Sequence, residues 1–329
     1  MKALQVTKYG DITDSLAINE VSKPTVNAQD ILIEVKAAAI NPIDKSIIAG
    51  NLQILIPLPF PSTMAYDVSG IVVAKGDEVT NFEIGDLVYS RVPQEQMGTI
   101  ADYVAVTSAA VSKKPGNISF EEAAGLPLAG LTALQSLEYA GIKENDKVLI
   151  HAGSGGVGSF AIQYAKAKGA YVYTTTSIAN VSWVKELGVD RVIDYKTEDY
   201  KTIVKDADIV FDTLGKDYTL EAFQVVKQGG KVISVVGPLD EDSAKMFGMT
   251  EYKLPEEIAK LASAKDAEYK FIFMHPNGAH LGEIKTMVEN DKIKPIVDKV
   301  YPFSKGIEAF THLATGRAKG KIVIQVSQD

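Results

Sequence analysis

The chain has 329 residues, 46% of them hydrophobic and 23% charged, with a formal net charge of −8. That balance belongs to soluble globular material, one large domain or two smaller ones, and its acidity argues against non-specific nucleic-acid binding. With no cysteine and only four histidines (His151, His275, His280 and His312), none in an H-E-x-x-H arrangement, disulfides, a cysteine nucleophile and cysteine-ligated metals are excluded, and no bound metal is expected. No apolar run reaches the ~18 residues of a membrane span. The opening "MKALQVTKYGD" lacks a basic segment followed by an apolar core, so the expected location is cytoplasmic.

Residues 1–120 read as short β-segments with turn punctuation. "DILIEVKAAAI" alternates in its first half, "DVSGIVVAKGDEV" turns at Gly76-Asp77, and "IGDLVYSRV" and "ADYVAV" follow. This pattern predicts a small, twisted, mostly antiparallel or barrel-like β-domain. From about residue 121 the rhythm becomes strand-then-helix. The predicted strands are "KVLIHA" (147–152), "YVYTTT" (171–176), "RVID" (191–194), "DIVFDTLG" (208–215), "KVISVVG" (231–237) and "KFIFM" (270–274). Helical segments lie between them; "VGSFAIQYAKAKG" stops at Gly169 and "VSWVKELG" at Gly188. Six short apolar strands alternating with helices predict a parallel sheet covered on both faces, and right-handed crossovers make it doubly wound. The last fifty or so residues return to a mixed pattern: a helix in "HLGEIKTMVENDKI", a strand in "KPIVDKVYPF", a helix starting at Ser304 and a strand in "GKIVIQV". They are expected to complete the first domain. The organisation is therefore residues 1–121 plus 275–329, interrupted by a doubly wound domain over 122–274.

The run "HAGSGGVG" carries the chemistry. Gly153-Ser154-Gly155-Gly156-Val157-Gly158 fits G-x-G-x-x-G, directly after a predicted strand and at the start of a predicted helix. Gly153 allows a tight turn, Gly155 lets backbone approach a pyrophosphate, and Gly158 lets the helix pack closely on the sheet. The helix N-terminus adds unpaired N–H groups and a positive dipole end. A plain glycine-rich turn is the alternative. NAD enzymes usually place Asp or Glu about twenty residues on, at the end of the second strand. Here no acidic residue occurs between Gly158 and Lys185, and the second strand runs into "TTTSIAN". Without a carboxylate to repel a 2′-phosphate, and with Thr176, Ser177 and Asn180 able to bond one, NADPH is the expected cofactor.

The order "NPIDKSIIAG", "AYDVSGIVV", "GDLVYSR", "AAGLPLAGLTA", "HAGSGGVG", "KPIVDKVYPF", "GRAKGKIVI" resembles the medium-chain dehydrogenase/reductase superfamily, and within it the zinc-free quinone oxidoreductases and enone (alkenal) reductases. The resemblance runs nearly end to end and implies a GroES-like β-barrel domain interrupted by a doubly wound parallel Rossmann sheet. It also implies site residues. Asn41, in Asn-Pro-x-Asp, matches a position beside the nicotinamide, where its amide would orient the cofactor or donate to a developing oxyanion; Asn and Pro equally suit an ordinary turn. Tyr66 and Met64 would shape the acceptor pocket, and Asp44 would bond backbone. Thr132 matches a nicotinamide contact. Ser177, Asn180 and Tyr195 fall where the family holds the 2′-phosphate. Leu214-Gly215 and Val236-Gly237 match segments along the ribose and nicotinamide. Phe271 and Phe273, in the sixth strand, match residues that touch the carboxamide and pair across a homodimer.

Zinc alcohol dehydrogenases have a cysteine where this chain reads Asn41, and Gly-His-Glu near Ala65-Tyr66-Asp67. Losing the Lewis acid removes the main means of polarising an isolated ketone, whereas a conjugated acceptor spreads charge into an enolate. The resemblance thus implies an NADPH-dependent reductase acting on quinones or α,β-unsaturated carbonyls. A nucleotide-binding sensor or structural protein without turnover, and an enoyl-thioester reductase, are the alternatives.

Overall fold

The computed structural model describes residues 1–327. The chain forms two compact units, Met1–Leu131 with the stretch from His275 onward, and Thr132–Met274. The first crossing thus lies at Leu131/Thr132 rather than at 121/122. The reason is local. The helix Phe120–Ala124 opens with a capping box, in which Ser119 Oγ accepts the Glu122 N–H at 3.1 Å and the Glu122 carboxylate accepts the Ser119 N–H at 2.9 Å. Its Ala124 packs with Ala37, Ala39 and Val323 of the first unit. Beyond it, the Leu128 N–H donates to Asp67 at 2.8 Å, so the helix Pro127–Ala140 starts on the first unit before running into the second.

In the first unit a seven-stranded sheet runs in the order Val297–Pro302, Lys321–Gln325, Asp30–Ile40, Asp67–Lys75, Leu87–Arg91, Val111–Lys113, with Tyr103–Thr107 also on Asp30–Ile40. A three-stranded sheet is built from Leu16–Glu20, Lys2–Val6 and Ser62–Thr63. Pairing is antiparallel except between Val297–Pro302 and Lys321–Gln325, which are parallel and joined by the helix Gly306–Ala314. The C-terminal return therefore adds a strand–helix–strand to a sheet begun near the N-terminus. The small residues of "KAAAI" have a packing reason: Ala38 and Ile40 face the main core, while Ala37 and Ala39 face Ala124 and Val323. Both faces of that strand are covered, so the alternation seen in its first half disappears.

The second unit is one six-stranded parallel sheet in the order Arg191–Asp194, Tyr171–Thr176, Lys147–Ile150, Ala207–Asp212, Val226–Ser234, Glu268–Phe271. Numbered along the chain this is 3-2-1-4-5-6, with the reversal beside the first strand, where such sheets bind ligands at their carboxyl ends. Four strands stop earlier than the runs predicted for them, at Ile150, Asp212, Ser234 and Phe271. Polar side chains end two of them: Asp212 Oδ1 accepts the N–H groups of Leu214 (2.9 Å) and Gly215 (2.8 Å), and Ser234 Oγ accepts that of Gly237 (2.8 Å). Leu214, Gly215, Val236, Gly237 and also Phe273 accordingly lie in the loops beyond the strands.

Candidate active site

In the second unit the strand Lys147–Ile150 leads through a turn into the helix Gly156–Ala167. Ala152 adopts φ 51°, a left-handed conformation strained for a residue with a side chain. The three motif glycines separate by function. A β-carbon on Gly153 would stand 2.2 Å from Thr174 Oγ1, and one on Gly158 2.3 Å from Ala152 O; one on Gly155 would meet nothing nearer than 3.4 Å. The outer two glycines are required by packing, and the middle one leaves backbone open. Gly155 is the N-cap and offers no side chain to the helix end, so the first-turn N–H groups of Gly156, Val157 and Gly158 have no intrahelical acceptor. Ser154, Gly155, Gly156 and Val157 are all partly exposed. These residues fit a dinucleotide's pyrophosphate.

His151 sits behind the turn, fully buried. Its Nδ1 lies 3.3 Å from Thr175 Oγ1, which also accepts the Ala152 N–H at 3.2 Å. Tyr200 and Tyr218 pack against the ring at centroid distances of 4.9 and 5.2 Å. Nε2 has no hydrogen-bond partner among the described residues. Desolvation pushes the His151 pKa down to about 4, against a smaller upward pull from Asp212 and Glu221, so the ring is neutral at physiological pH.

At the second strand's end the Thr176 hydroxyl is buried without a partner among the described residues. Asn180 Nδ2 donates to Ser177 Oγ at 3.3 Å, and Asn180 Oδ1 accepts from Trp183 Nε1 at 3.1 Å. Tyr195 is half exposed beside them, since its N–H donates to Thr176 O. Parallel pairing also sets Asp194 opposite Thr176, an acid that reading one strand at a time does not reveal. Its carboxylate accepts from Lys196 N (3.2 Å) and Thr197 Oγ1 (3.3 Å).

Gly215 and Gly237, in the segments matched to the ribose and nicotinamide, each have a packing reason of their own. Gly215 has φ 69° and lies against Val236, while a β-carbon on Gly237 would stand 2.6 Å from the Tyr269 hydroxyl. Leu214 and Val236 are exposed, and Thr132 is nearly buried. Phe271 is nearly buried in the edge strand, and Phe273, beyond that strand's end, packs edge-on against Phe247 at 5.0 Å.

The first unit holds a buried charged cluster that the sequence only partly announces. Sheet register assembles it: Ile322 lies opposite Ile40, and Asp67 opposite Ala39, so Lys321 and Asp67 converge from two strands on Asn41, the residue just past the end of a third. Lys321 Nζ donates to Asn41 Oδ1 and, at 3.0 Å, to Asp67 Oδ2; Asn41 Nδ2 donates to Asp67 Oδ2 at 2.9 Å. Asp67 Oδ1 takes the Leu128 N–H described above. Asn41 also starts the helix Pro42–Ile48, where Asp44 Oδ2 accepts the Asn41 N–H at 2.7 Å. Burial pushes the Asp44 carboxyl up to about 7, with Asp67 adding to the rise and the Asn41 N–H, Lys321 and Arg91 opposing it.

Tyr66 and Met64, expected in an acceptor pocket, are instead fully buried in the first unit's core. The Tyr66 ring carries the Arg91 guanidinium 4.6 Å from its centroid, and burial raises its phenol pKa. Tyr66 Oη, Asp44 Oδ1 and Arg91 Nε have no hydrogen-bond partners among the described residues. Neither Lys321 nor Arg91 belongs to a sequence motif with an assigned role; the signal for them is a lysine opening the otherwise apolar "KIVI" and an arginine closing "VYSR".

The positions matching the zinc branch's ligands therefore hold an amide bonded at both ends, a neutral phenol and a carboxylate paired with an ammonium. That donor set does not fit a zinc ion. Among the described residues no group of three or more His, Cys, Asp or Glu is placed to hold a metal, and no helix is long and apolar enough to cross a membrane.

A doubly wound sheet with an open glycine cradle, inserted in a β-domain that holds a buried Asn–Asp–Lys cluster, defines a dinucleotide-binding dehydrogenase/reductase architecture. Comparison with known proteins agrees. Residues 27–116 match the alcohol dehydrogenase GroES-like domain, and residues 187–324 the zinc-binding dehydrogenase domain. The chain is 34% identical to a 2-methylene-furan-3-one reductase of Solanum lycopersicum, over 98% of this chain and 79% of that protein. It is 33% identical, with the same coverage, to a chloroplastic NADPH-dependent alkenal/one oxidoreductase of Arabidopsis thaliana. The quinone oxidoreductase from Coxiella burnetii superposes with a TM-score of 0.88 at 32% identity, covering 99% of both chains. The chain belongs to the medium-chain dehydrogenase/reductase superfamily, in the branch of the quinone oxidoreductases and alkenal reductases.

Proposed function

We propose that the protein is an NADPH-dependent, zinc-independent reductase acting on the conjugated C=C of α,β-unsaturated carbonyls or on quinones. The observation that carries this reading is the turn 151–158, in which two glycines are fixed by packing and the third leaves backbone free at a helix N-terminus. When bound, reduced nicotinamide supplies the hydride. The first-turn N–H groups of the helix Gly156–Ala167 hold the pyrophosphate, and Ser177, Asn180 and Tyr195 bond the 2′-phosphate. Thr132, Leu214, Val236, Phe271 and Phe273 orient the nicotinamide end. Asn41 gives its remaining amide hydrogen to the acceptor's carbonyl oxygen as negative charge develops there. A conjugated acceptor delocalises that charge, so one neutral donor suffices where an isolated ketone needs a metal. The activities for which the tomato and Arabidopsis relatives are named support this substrate class. We further propose a cytoplasmic homodimer joined through the edge strand Glu268–Phe271, which has a neighbour on one side only within its sheet.

The test is to follow NADPH oxidation at 340 nm with a panel of enals, enones and quinones, alongside thermal melting with and without NADPH. Turnover with at least one acceptor and a raised melting temperature are expected. No oxidation above background and an unmoved melting curve would overturn the reading.

A further inference from the structure

We propose that Lys321 and Asp67 are positioning residues for Asn41, fixing which end of its side-chain amide is offered to the reacting carbonyl. The proposal rests on the role given to Asn41 above and adds two residues that no motif assigns. The two ends of an asparagine amide are nearly the same shape, so its orientation is set by its partners. Lys321 has donors only and therefore faces Oδ1; an ionised Asp67 has acceptors only and therefore takes an Nδ2 hydrogen. A flipped amide would set N–H against ammonium and C=O against carboxylate. Asn41, Asp67 and Lys321 are 2%, 0% and 6% exposed, so water screens neither repulsion.

Neither positioning group can drift. Asp67 is anchored by the Leu128 N–H, and Lys321 belongs to a strand paired on both sides. Of the other charged and titratable groups facing the cluster, Asp44 Oδ2 takes the Asn41 backbone N–H rather than its side-chain amide, Arg91 donates to Val92 O, and Tyr66 lies under the Arg91 guanidinium. One Nδ2 hydrogen is left over, on an amide polarised by a cation at its oxygen and an anion at its nitrogen. The cation at the oxygen draws charge from the amide and so strengthens the remaining donor, while the carboxylate at the nitrogen holds the orientation. The charged pair thereby takes over part of what a metal ion does elsewhere, acting through an amide rather than on the substrate.

A merely structural ion pair tying three strands together predicts loss of melting temperature without a specific loss of kcat. The test compares Asn41→Ala, Lys321→Met, Lys321→Gln, Lys321→Arg and the double variant Asn41→Ala/Lys321→Met, measuring kcat, acceptor KM and melting temperature. Asn41→Ala is expected to lower kcat about 100-fold, with KM changed less than about threefold. Lys321→Gln, which can accept from Nδ2 and so permits the flip, is expected to come within about threefold of that loss, and Lys321→Arg to restore about tenfold of it. The double variant should lose no more than Asn41→Ala alone. If Lys321→Met does not fold, the Gln and Arg variants decide the matter. A folded Lys321→Gln protein with wild-type kcat, or losses that multiply in the double variant, would overturn the proposal. A second readout is independent of turnover: with 15N-labelled asparagine, wild-type Asn41 should show two well-separated amide protons, one slow to exchange. A rapidly exchanging, averaged pair overturns the positioning role even in an active enzyme. Absence of turnover with an ordered Asn41 amide would instead overturn the reductase reading.

Discussion

A β-carbon on Gly158 would stand 2.3 Å from the carbonyl oxygen of Ala152, so the helix that ends at Ala167 is pressed directly onto the turn that precedes it. Gly155, three residues earlier, has ordinary clearance. Gly158→Ala must therefore move the helix away from the turn and lower both melting temperature and NADPH affinity. Gly155→Ala should melt like the wild type yet bind NADPH at least about tenfold more weakly, because its new methyl group stands where the pyrophosphate approaches. Calorimetry of binding beside thermal melting separates the two; equal loss of stability in both variants would contradict the assignment.

His151 sets one pH dependence. Its folded pKa of about 4 lies below the usual 6.5, so between those values the unfolded chain binds a proton that the native protein does not. Its contribution to stability is complete above pH 6.5 and is lost as pH falls toward 4. The melting-temperature advantage of the wild type over His151→Phe should be largest near pH 7 and shrink steadily to pH 4.

Asp44 acts in the opposite sense. Its folded pKa of about 7 exceeds the usual 3.8, so the native state holds the extra proton, and its contribution is lost as pH rises from 3.8 through 7. The advantage of the wild type over Asp44→Asn should be greatest in acid and decline toward pH 8. Melting curves across that range check the sign, which must be the reverse of that for His151.

Lys216 precedes the helix Asp217–Val225 with φ 55° and ψ −130°, a conformation natural to glycine and strained for any other residue. It is exposed, so its side chain gives up no core packing when removed. Lys216→Gly should stabilise the protein by about 1 kcal/mol, read as a higher denaturation midpoint.

Asn180 stands at the second strand's end without a cation beside it in sequence. Asn180→Lys should lower the KM for NADPH about fivefold, on the order of 1 kcal/mol for a solvent-exposed ion pair, and leave the KM for NADH nearly unchanged. An equal change for both cofactors would place the 2′-phosphate elsewhere.

The second unit was the more legible half. Each of its apolar runs is local, two of its helices carry glycine stops at Gly169 and Gly188, and the glycine spacing is a property of eight consecutive residues. What sequence missed there came from polar ends and neighbouring strands: Asp212 and Ser234 cut strands short by bonding the next N–H groups, and Asp194 reaches the second strand's end only through parallel pairing. In the first unit Asn41 was visible through its motif, but Lys321 lies 280 positions away and Asp67 26. No periodicity links them.

The sequence by itself determined the alternation of strands and helices, the glycine cradle and the absence of thiol chemistry, because these depend on residue type and on spacing within a few turns of chain. Only the tertiary structure decided that Tyr66 is core, that Gly237 serves packing, and that Asn41 is held between an ammonium and a carboxylate. Those outcomes follow from strand register, which sets side by side residues that the chain keeps far apart and removes the water that would otherwise screen them.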